Sequence, residues 1–270
     1  MNFQRYIVVG DVHGCIEELD DLLAALQYRG RNSGDRLVFV GDLLDRGPDP
    51  VGVVRRVREL QAESVLGNHE EKHLRWRRWE DRIAAGEVDK NPMRPFSEER
   101  LAQHNALTAE DMGWLRSLPA SLRLDARWLV VHAGFECDGT PPEEQKLSRI
   151  CRVRDVDSSG KMAVNKENLF EPAPGSKPWG MAWTGPENVV YGHAVHDRKG
   201  IFVSKHKPGT PEACATYGID TGCVFGGHLT ALVIDPSGTE PPEIEQAPAR
   251  DTYFKAPAGW RPGRPMSSLT

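Results

Sequence analysis

Five short apolar runs each end in a glycine flanked by residues that bind metals or move protons. They are Gly10-Asp11-Val12-His13-Gly14, Gly41-Asp42-Leu43-Leu44-Asp45-Arg46-Gly47, Gly67-Asn68-His69-Glu70, His132-Ala133-Gly134 and Gly192-His193. Carboxylate, imidazole and amide oxygen are mixed N/O donors, suited to manganese, iron or zinc rather than copper(I) or iron–sulfur clusters. Asp11 and His13 are two residues apart in an extended segment, so they point the same way and can hold one ion together. Asp42 has two oxygens and can hold two ions, with Asn68, His132 and His193 completing the second. Such ion pairs clamp the attacking and leaving oxygens of an in-line displacement.

The elements that carry these residues alternate between β-branched runs and amphipathic stretches, the pattern of an α/β domain. Strands are expected at Tyr6–Val9, Arg36–Val40, Ser64–Leu66, Ser121–Asp125, Trp128–Val131, Val189–Tyr191, Ala215–Ile219 and Leu229–Ile234. Helices are expected over Cys15–Tyr28, Val51–Leu60 and Glu70–Ala85, with a further start at Thr108. Polar residues just past strand C-termini lie along the edge where open α/β sheets build their sites. The stretch 155–179 is long for a structureless loop, and reads equally as a substrate lid or as a loose connection. Residues 1–235 are expected to form one catalytic domain, followed by a proline-rich tail over 236–270 that runs extended on the surface or is partly disordered.

The five blocks together resemble the metallophosphoesterase superfamily, and within it the phosphoprotein-phosphatase group, whose signature runs G-D-x-H-G, G-D-x-x-D-R-G, G-N-H-E and two later histidines. The resemblance implies two packed mixed β-sheets flanked by helices, the calcineurin-like metallophosphoesterase fold. It implies that Asp11, His13, Asp42, Asn68, His132 and His193 are ligands of two divalent metal ions, manganese foremost, with iron, zinc, cobalt or nickel as alternatives. It also implies that His69 protonates the leaving oxygen while Asp45 orients its imidazole, that Arg46 holds phosphate oxygens, and that a metal-bound hydroxide is the nucleophile. A second phosphate-binding arginine is expected, and either Arg152 or Arg154 would serve.

The segment Gly218–Gly227 and the helix that follows Gly14-Cys15 are similar to bacterial symmetrical diadenosine tetraphosphatases and to the phosphatase module of RNA-repair kinase–phosphatases. Asp45 is a departure from many tetraphosphatases and is shared with protein phosphatases. The substrate expected first is a nucleotide-type phosphoanhydride such as diadenosine tetraphosphate, and next a phosphoprotein. A non-catalytic interaction scaffold is a third reading, which the complete ligand set disfavours.

Composition narrows the alternatives. The formal net charge of −5 over 270 residues argues against stable nucleic-acid binding. Five widely spaced cysteines form no C-x-x-C pair and no disulfide framework. No leader-like or membrane-spanning apolar run is present, so a cytoplasmic location is expected. His73, His104, His206 and His228 read as surface or supporting residues, with His196 left open as pocket lining. Cys15 reads as a packing residue. In Arg75-Trp76-Arg77-Arg78-Trp79 the tryptophans are expected to face the core and the arginines the solvent.

Overall fold

The computed structural model describes residues 3–167 and 171–256. Strand β1 (Arg5–Val9) is followed by α1 (Ile16–Ala25), β2 (Asp35–Phe39), α2 (Pro50–Glu59), β3 (Glu63–Ser64) and α3 (Asn68–Ala84). Next come α4 (Glu98–Ala106), α5 (Ala109–Ser117), β4 (Ser121–Arg123), β5 (Trp128–Val131) and α6 (Leu147–Ile150). The short elements β6 (Asp155–Val156), β7 (Met162–Ala163), β8 (Lys177–Pro178) and α7 (Trp179–Ala182) lead to β9 (Asn188–Tyr191), β10 (Phe202–His206), β11 (Cys214–Gly218), β12 (His228–Ile234) and β13 (Glu243–Pro248).

Two five-stranded sheets form the body, ordered β13-β12-β1-β2-β3 and β10-β11-β9-β5-β4. Both are mixed. The runs β1-β2-β3 and β5-β9-β11 are parallel, and antiparallel strands complete each sheet. Because successive side chains on a strand face opposite ways, each strand serves two cores. Tyr6, Val8, Val38 and Val40 meet Trp128, Val130, Val190 and Ile219 between the sheets. Ile7, Val9, Leu37 and Phe39 pack outward against Leu19, Leu22, Val53, Val57 and Leu115 of the helices. On the far face of the second sheet, Leu129, Val131, Val189 and Tyr191 pack with Phe135, Trp179 and Trp183. The parallel strands of both sheets therefore deliver their C-terminal ends to one edge.

Helix ends follow local chemistry. The Asp49 carboxylate accepts from Gly52 N at 2.8 Å with Pro50 opening α2. Thr108 and Asp111 form a reciprocal capping box at the start of α5.

The structure adds elements that the sequence pattern left out: α4, β10 and β13. Within the stretch expected to run extended or partly disordered, Glu243–Pro248 form an edge strand hydrogen-bonded to β12; residues 257–270 lie outside the described residues. The 155–179 segment carries a three-stranded sheet, β7-β6-β8, and is not structureless. Trp76 and Trp79 are half-buried rather than in the core: Trp76 stacks on Phe96 at 4.1 Å and Arg82 lies over Trp79. Among the described residues no helix is long and apolar enough to cross a membrane.

Candidate metal centre and acid pair

Asp42 stands just past β2, buried, and its two carboxylate oxygens face different partners. Oδ2 lies 3.5 Å from His13 Nε2, and Oδ1 lies 3.3 Å from His132 Nε2. Each histidine is oriented from behind. His13 Nδ1 is 2.8 Å from the Leu44 carbonyl and His132 Nδ1 is 2.8 Å from the Val40 carbonyl. A carbonyl can only accept, so both Nδ1 atoms carry a proton and both Nε2 atoms face Asp42. Burial opposes but Asp42 favours the protonated form of His132, and loss of that Nε2 proton would free a lone pair for a cation, the arrangement seen at histidine metal ligands.

The donor set fits a cation. His132 Nε2 also faces Asn68 Oδ1 at 3.0 Å, so with the imidazole neutral three acceptor atoms converge on one point. His193 Nε2 is buried with no hydrogen-bond partner, and the His132 and His193 rings lie 5.0 Å apart. Asp42, His132 and His193 can place one donor atom each within 4.8 Å of the others, and so can His13, Asp42 and His69. Buried acceptors that face each other without a shared proton repel, and a positive charge between them removes the cost. Around His13 that charge comes from Arg46, with Nη1 2.7 Å from His13 Nε2 and Nη2 3.1 Å from His69 Nε2.

The carboxylates register the crowding. Burial pushes Asp11 well above the usual carboxylate range, with the charges of Asp220 and Asp42 adding to it. Asp11 accepts from the His193 backbone N–H through both oxygens, at 3.1 Å each. Asp42 goes the other way. Burial would raise it, but His132, His69 and His13 outweigh that and hold it far below the usual range.

Behind these residues the backbone is held in unusual conformations. His13, Asp42, Asp45, Arg46 and His193 all have positive φ, between 46° and 74°, which side-chain-bearing residues rarely adopt. Strain of this kind persists only where the surroundings over-determine it. Glu70 supplies it at Asp42 and the turn that follows. Its carboxylate accepts from the N–H groups of Asp42 (2.8 Å), Leu43 (2.9 Å), Leu44 (3.0 Å) and Gly67 (3.1 Å). Burial, and then the Asp42 charge, push Glu70 up to about 7. The sequence signal for this role was the capping-box position of Glu70 three residues after Gly67, which serves the neighbouring loop as well as its own helix.

His69 Nδ1 is 2.5 Å from Asp45 Oδ2. Burial lowers the His69 imidazole below its ordinary range; Asp42 and Asp45 pull it up, and Arg46 pushes it down. Arg152 is engaged elsewhere, in an ion pair with Glu71 at 2.5 Å. Arg154 is exposed and lies within electrostatic reach of Arg46, Asp220 and Asp42.

Sequence reasoning missed Asp220, a buried acid just past β11 that accepts from Gly222 N at 2.9 Å and lies close enough to Asp11 for their charges to interact. The signal was present, since Gly218-Ile219-Asp220 repeats the strand–acid–glycine pattern of the other blocks. His73 and His104, expected as surface or supporting residues, are both fully buried behind Asp45. His206 and His228 face carbonyls of Gly180 and Arg198. His196 stacks on Phe202 at 4.2 Å, and burial followed by the Arg154 charge lower it to about 4. Cys15 is a buried packing residue.

Known proteins resemble this chain in sequence and in fold. A family model described as calcineurin-like phosphoesterase matches residues 4–230. A protein of Halalkalibacterium halodurans named bis(5'-nucleosyl)-tetraphosphatase PrpE, asymmetrical, is 29% identical over 248 residues, covering 84% of this chain and 89% of its own. A namesake from Bacillus mycoides is 28% identical over 275 residues, covering 96% and 99%. A solved structure provisionally designated a diadenosine tetraphosphatase is 31% identical with a TM-score of 0.67, covering 91% of this chain and 94% of its own. Matched over most of its length and carrying a donor set that fits cations, the chain belongs to the calcineurin-like phosphoesterase family: it is a hydrolase of a family that works with divalent metal ions.

Proposed function

We propose that the chain hydrolyses nucleotide-type phosphoanhydrides, with a dinucleoside tetraphosphate as the model substrate, at a dinuclear metal site centred on Asp42. The observation that carries this reading is the Asp42 carboxylate, one oxygen toward His13 and the other toward His132, with acceptors converging on both sides. Asp11 and His13 would hold one ion, Asn68, His132 and His193 the other, and Asp42 both. Bound there, two divalent cations would polarise the phosphoryl group and supply a nucleophile at neutral pH. Manganese suits this mixed N/O set, and so do iron, zinc, cobalt and nickel.

The protein's own groups do the rest. Arg46, whose fork here donates to His13 Nε2 and His69 Nε2, would turn it to two non-bridging phosphate oxygens when metal and substrate are bound, which frees both histidine Nε2 atoms for their roles. Arg154, exposed and within electrostatic reach of Asp42 and Arg46, would be the second phosphate ligand, since Arg152 is paired with Glu71. His69 would deliver a proton from Nε2 to the departing oxygen, because its Nδ1 is held by Asp45. A groove of about 580 Å³ lined by Arg46, Gly47, Asp49, Gln103 and Tyr253 lies beside the metal ligands, joined to them through Arg46, and would offer room for a leaving nucleotide.

Cleavage mode is open between two chemistries. The ending Gly218–Gly227 resembles symmetrical enzymes, whereas the PrpE relatives carry the asymmetrical designation. Product analysis on diadenosine tetraphosphate tests the proposal and separates the modes, since ATP plus AMP marks asymmetric attack and ADP alone symmetric attack. His69→Ala should keep its metal and lose roughly two to four orders of magnitude in turnover. An untouched dinucleotide with rapid phosphate release from phosphopeptides would overturn the substrate. Wild-type turnover in His69→Ala would overturn the acid.

A further inference from the structure

Behind the acid pair a chain of hydrogen bonds runs to the surface. Asp45 Oδ2 receives His69 Nδ1 at 2.5 Å and Arg100 Nη2 at 2.8 Å, while Asp45 Oδ1 faces His73 Nε2 at 3.0 Å. His73 Nδ1 lies 3.1 Å from His104 Nδ1, and His104 Nε2 lies 3.1 Å from Glu80 Oε2. The two histidine rings are 18° from parallel with centroids 5.3 Å apart. That spacing suits imidazoles set edge to edge, with one N–H pointing at the other's lone pair. Both rings are fully buried, and the Glu80 side chain is 34% exposed. The chain thus connects the acid pair to solvent.

Counting protons gives the result. Three links, Asp45–His73, His73–His104 and His104–Glu80, need one hydrogen each. Ionised Asp45 and Glu80 contribute none, and two neutral imidazoles bring two. Asp45 is ionised: burial would raise it, but the bonds from His69 and His73 win and hold it far below the usual range. Ionised Asp45 has no proton of its own to pass to His69, and the chain acts by holding its carboxylate in place.

We propose that His73 and His104 are positioning residues for Asp45, and that with all three links closed they share a third proton, one imidazolium held between Asp45 and Glu80. His73 fixes Oδ1 so that Oδ2 faces His69. The positioning role rests on the His69–Asp45 assignment above; the proton count does not. The charged and titratable groups around the pair are Asp45, His69, Lys72, Arg77 and Glu80, with Arg100 from α4. Lys72 and Arg100 reach over the Phe96 ring that flanks His73. Arg77 lies 3.4 Å from Glu80, whose other oxygen accepts from Trp76 Nε1. Burial, the largest influence, holds His104 below the ordinary imidazole range against the pull of Glu80. The third proton is therefore taken up on the acid side of neutrality. As pH rises, the His104–Glu80 link opens first, because a lone pair then faces a carboxylate.

Long-range ¹⁵N–¹H spectra of the full chain, histidine-labelled and loaded with zinc as a diamagnetic ion, count these protons from about pH 8 down to pH 5, the range of histidine charge change. The expected result is two protons at the upper end and three at the lower, with both rings changing together. Glu80→Gln can donate to a neutral His104 Nε2 and still accept from Trp76, so it should suppress the uptake over the same range. Two protons throughout in the wild type, or unchanged uptake in Glu80→Gln, would overturn the shared proton. For positioning, His73→Phe should lower kcat about tenfold, at the low end of what outer-sphere partners contribute, with KM little changed. His73→Gln, which can still donate to Oδ1, should recover part of it. A wild-type kcat in His73→Phe would overturn the positioning role. A wild-type protein that hydrolyses no phosphate ester or anhydride would instead refute the proposed function and leave the proton count standing.

Discussion

Replacing Glu70 by Gln removes one oxygen from a carboxylate that four backbone N–H groups share. One Glu70 oxygen takes Asp42 and Gly67, the other Leu43 and Leu44. A glutamine oxygen can satisfy one pair, whichever way the amide is turned, and its NH2 then confronts the other. Two hydrogen bonds to a charged acceptor are lost, at about 1.5–3 kcal/mol each, giving a gross loss of about 3–6 kcal/mol. The buried charge itself is unfavourable, as the rise of Glu70 to about 7 shows, and glutamine relieves that. The net expectation is a destabilisation of about 2–4 kcal/mol. Urea unfolding of metal-free and metal-loaded protein measures it, together with turnover, which should fall because the loop that sets Asp42 loosens. Stability within about 0.5 kcal/mol of wild type, the range of an ordinary surface change, would refute the claim that Glu70 holds this loop.

Other sites make separate tests. At Gly47 an added Cβ would lie 2.0 Å from the His13 carbonyl oxygen, so Gly47→Ala should cost about 1–3 kcal/mol as overpacking and impair metal binding at His13; thermal melting and titration with manganese check both. Asp35, buried beneath Arg5 with contacts of 2.7 and 3.0 Å and accepting from Arg29 N at 2.8 Å, is raised by burial but lowered more by these partners, ending below its ordinary value. Its contribution is present above the unfolded value of about 3.9 and is lost as pH falls through the folded one. Asp35→Asn should therefore be destabilised by about 1–3 kcal/mol at pH 7, with the gap to wild type closing in urea melts toward pH 3.

The catalytic edge was legible in the sequence because chemistry and strand ends coincide there. Asp11, His13, Asp42, Asn68, His132 and His193 follow apolar runs whose register is fixed by two buried faces. Their convergence then follows from parallel pairing within each sheet. What escaped notice depends on tertiary partners. β13 carries Glu243, Glu245 and Gln246, with little apolar signal of its own, and exists because β12 offers it an edge. His73 sits on a helix rich in charge, and only the fold brings His104 from α4 against it. The pairing of Arg152 with Glu71 likewise depends on a neighbour that no local spacing reveals.

Metal content tests the central claim most directly. Protein prepared with manganese and freed of loosely bound ions should retain two per chain by elemental analysis. Asp42→Asn, which alters the carboxylate facing both histidine clusters, should lose both together, whereas Asn68→Ala should weaken one. A folded wild-type chain that retains no stoichiometric metal, or an Asp42→Asn variant that keeps two ions at wild-type affinity, would contradict the account.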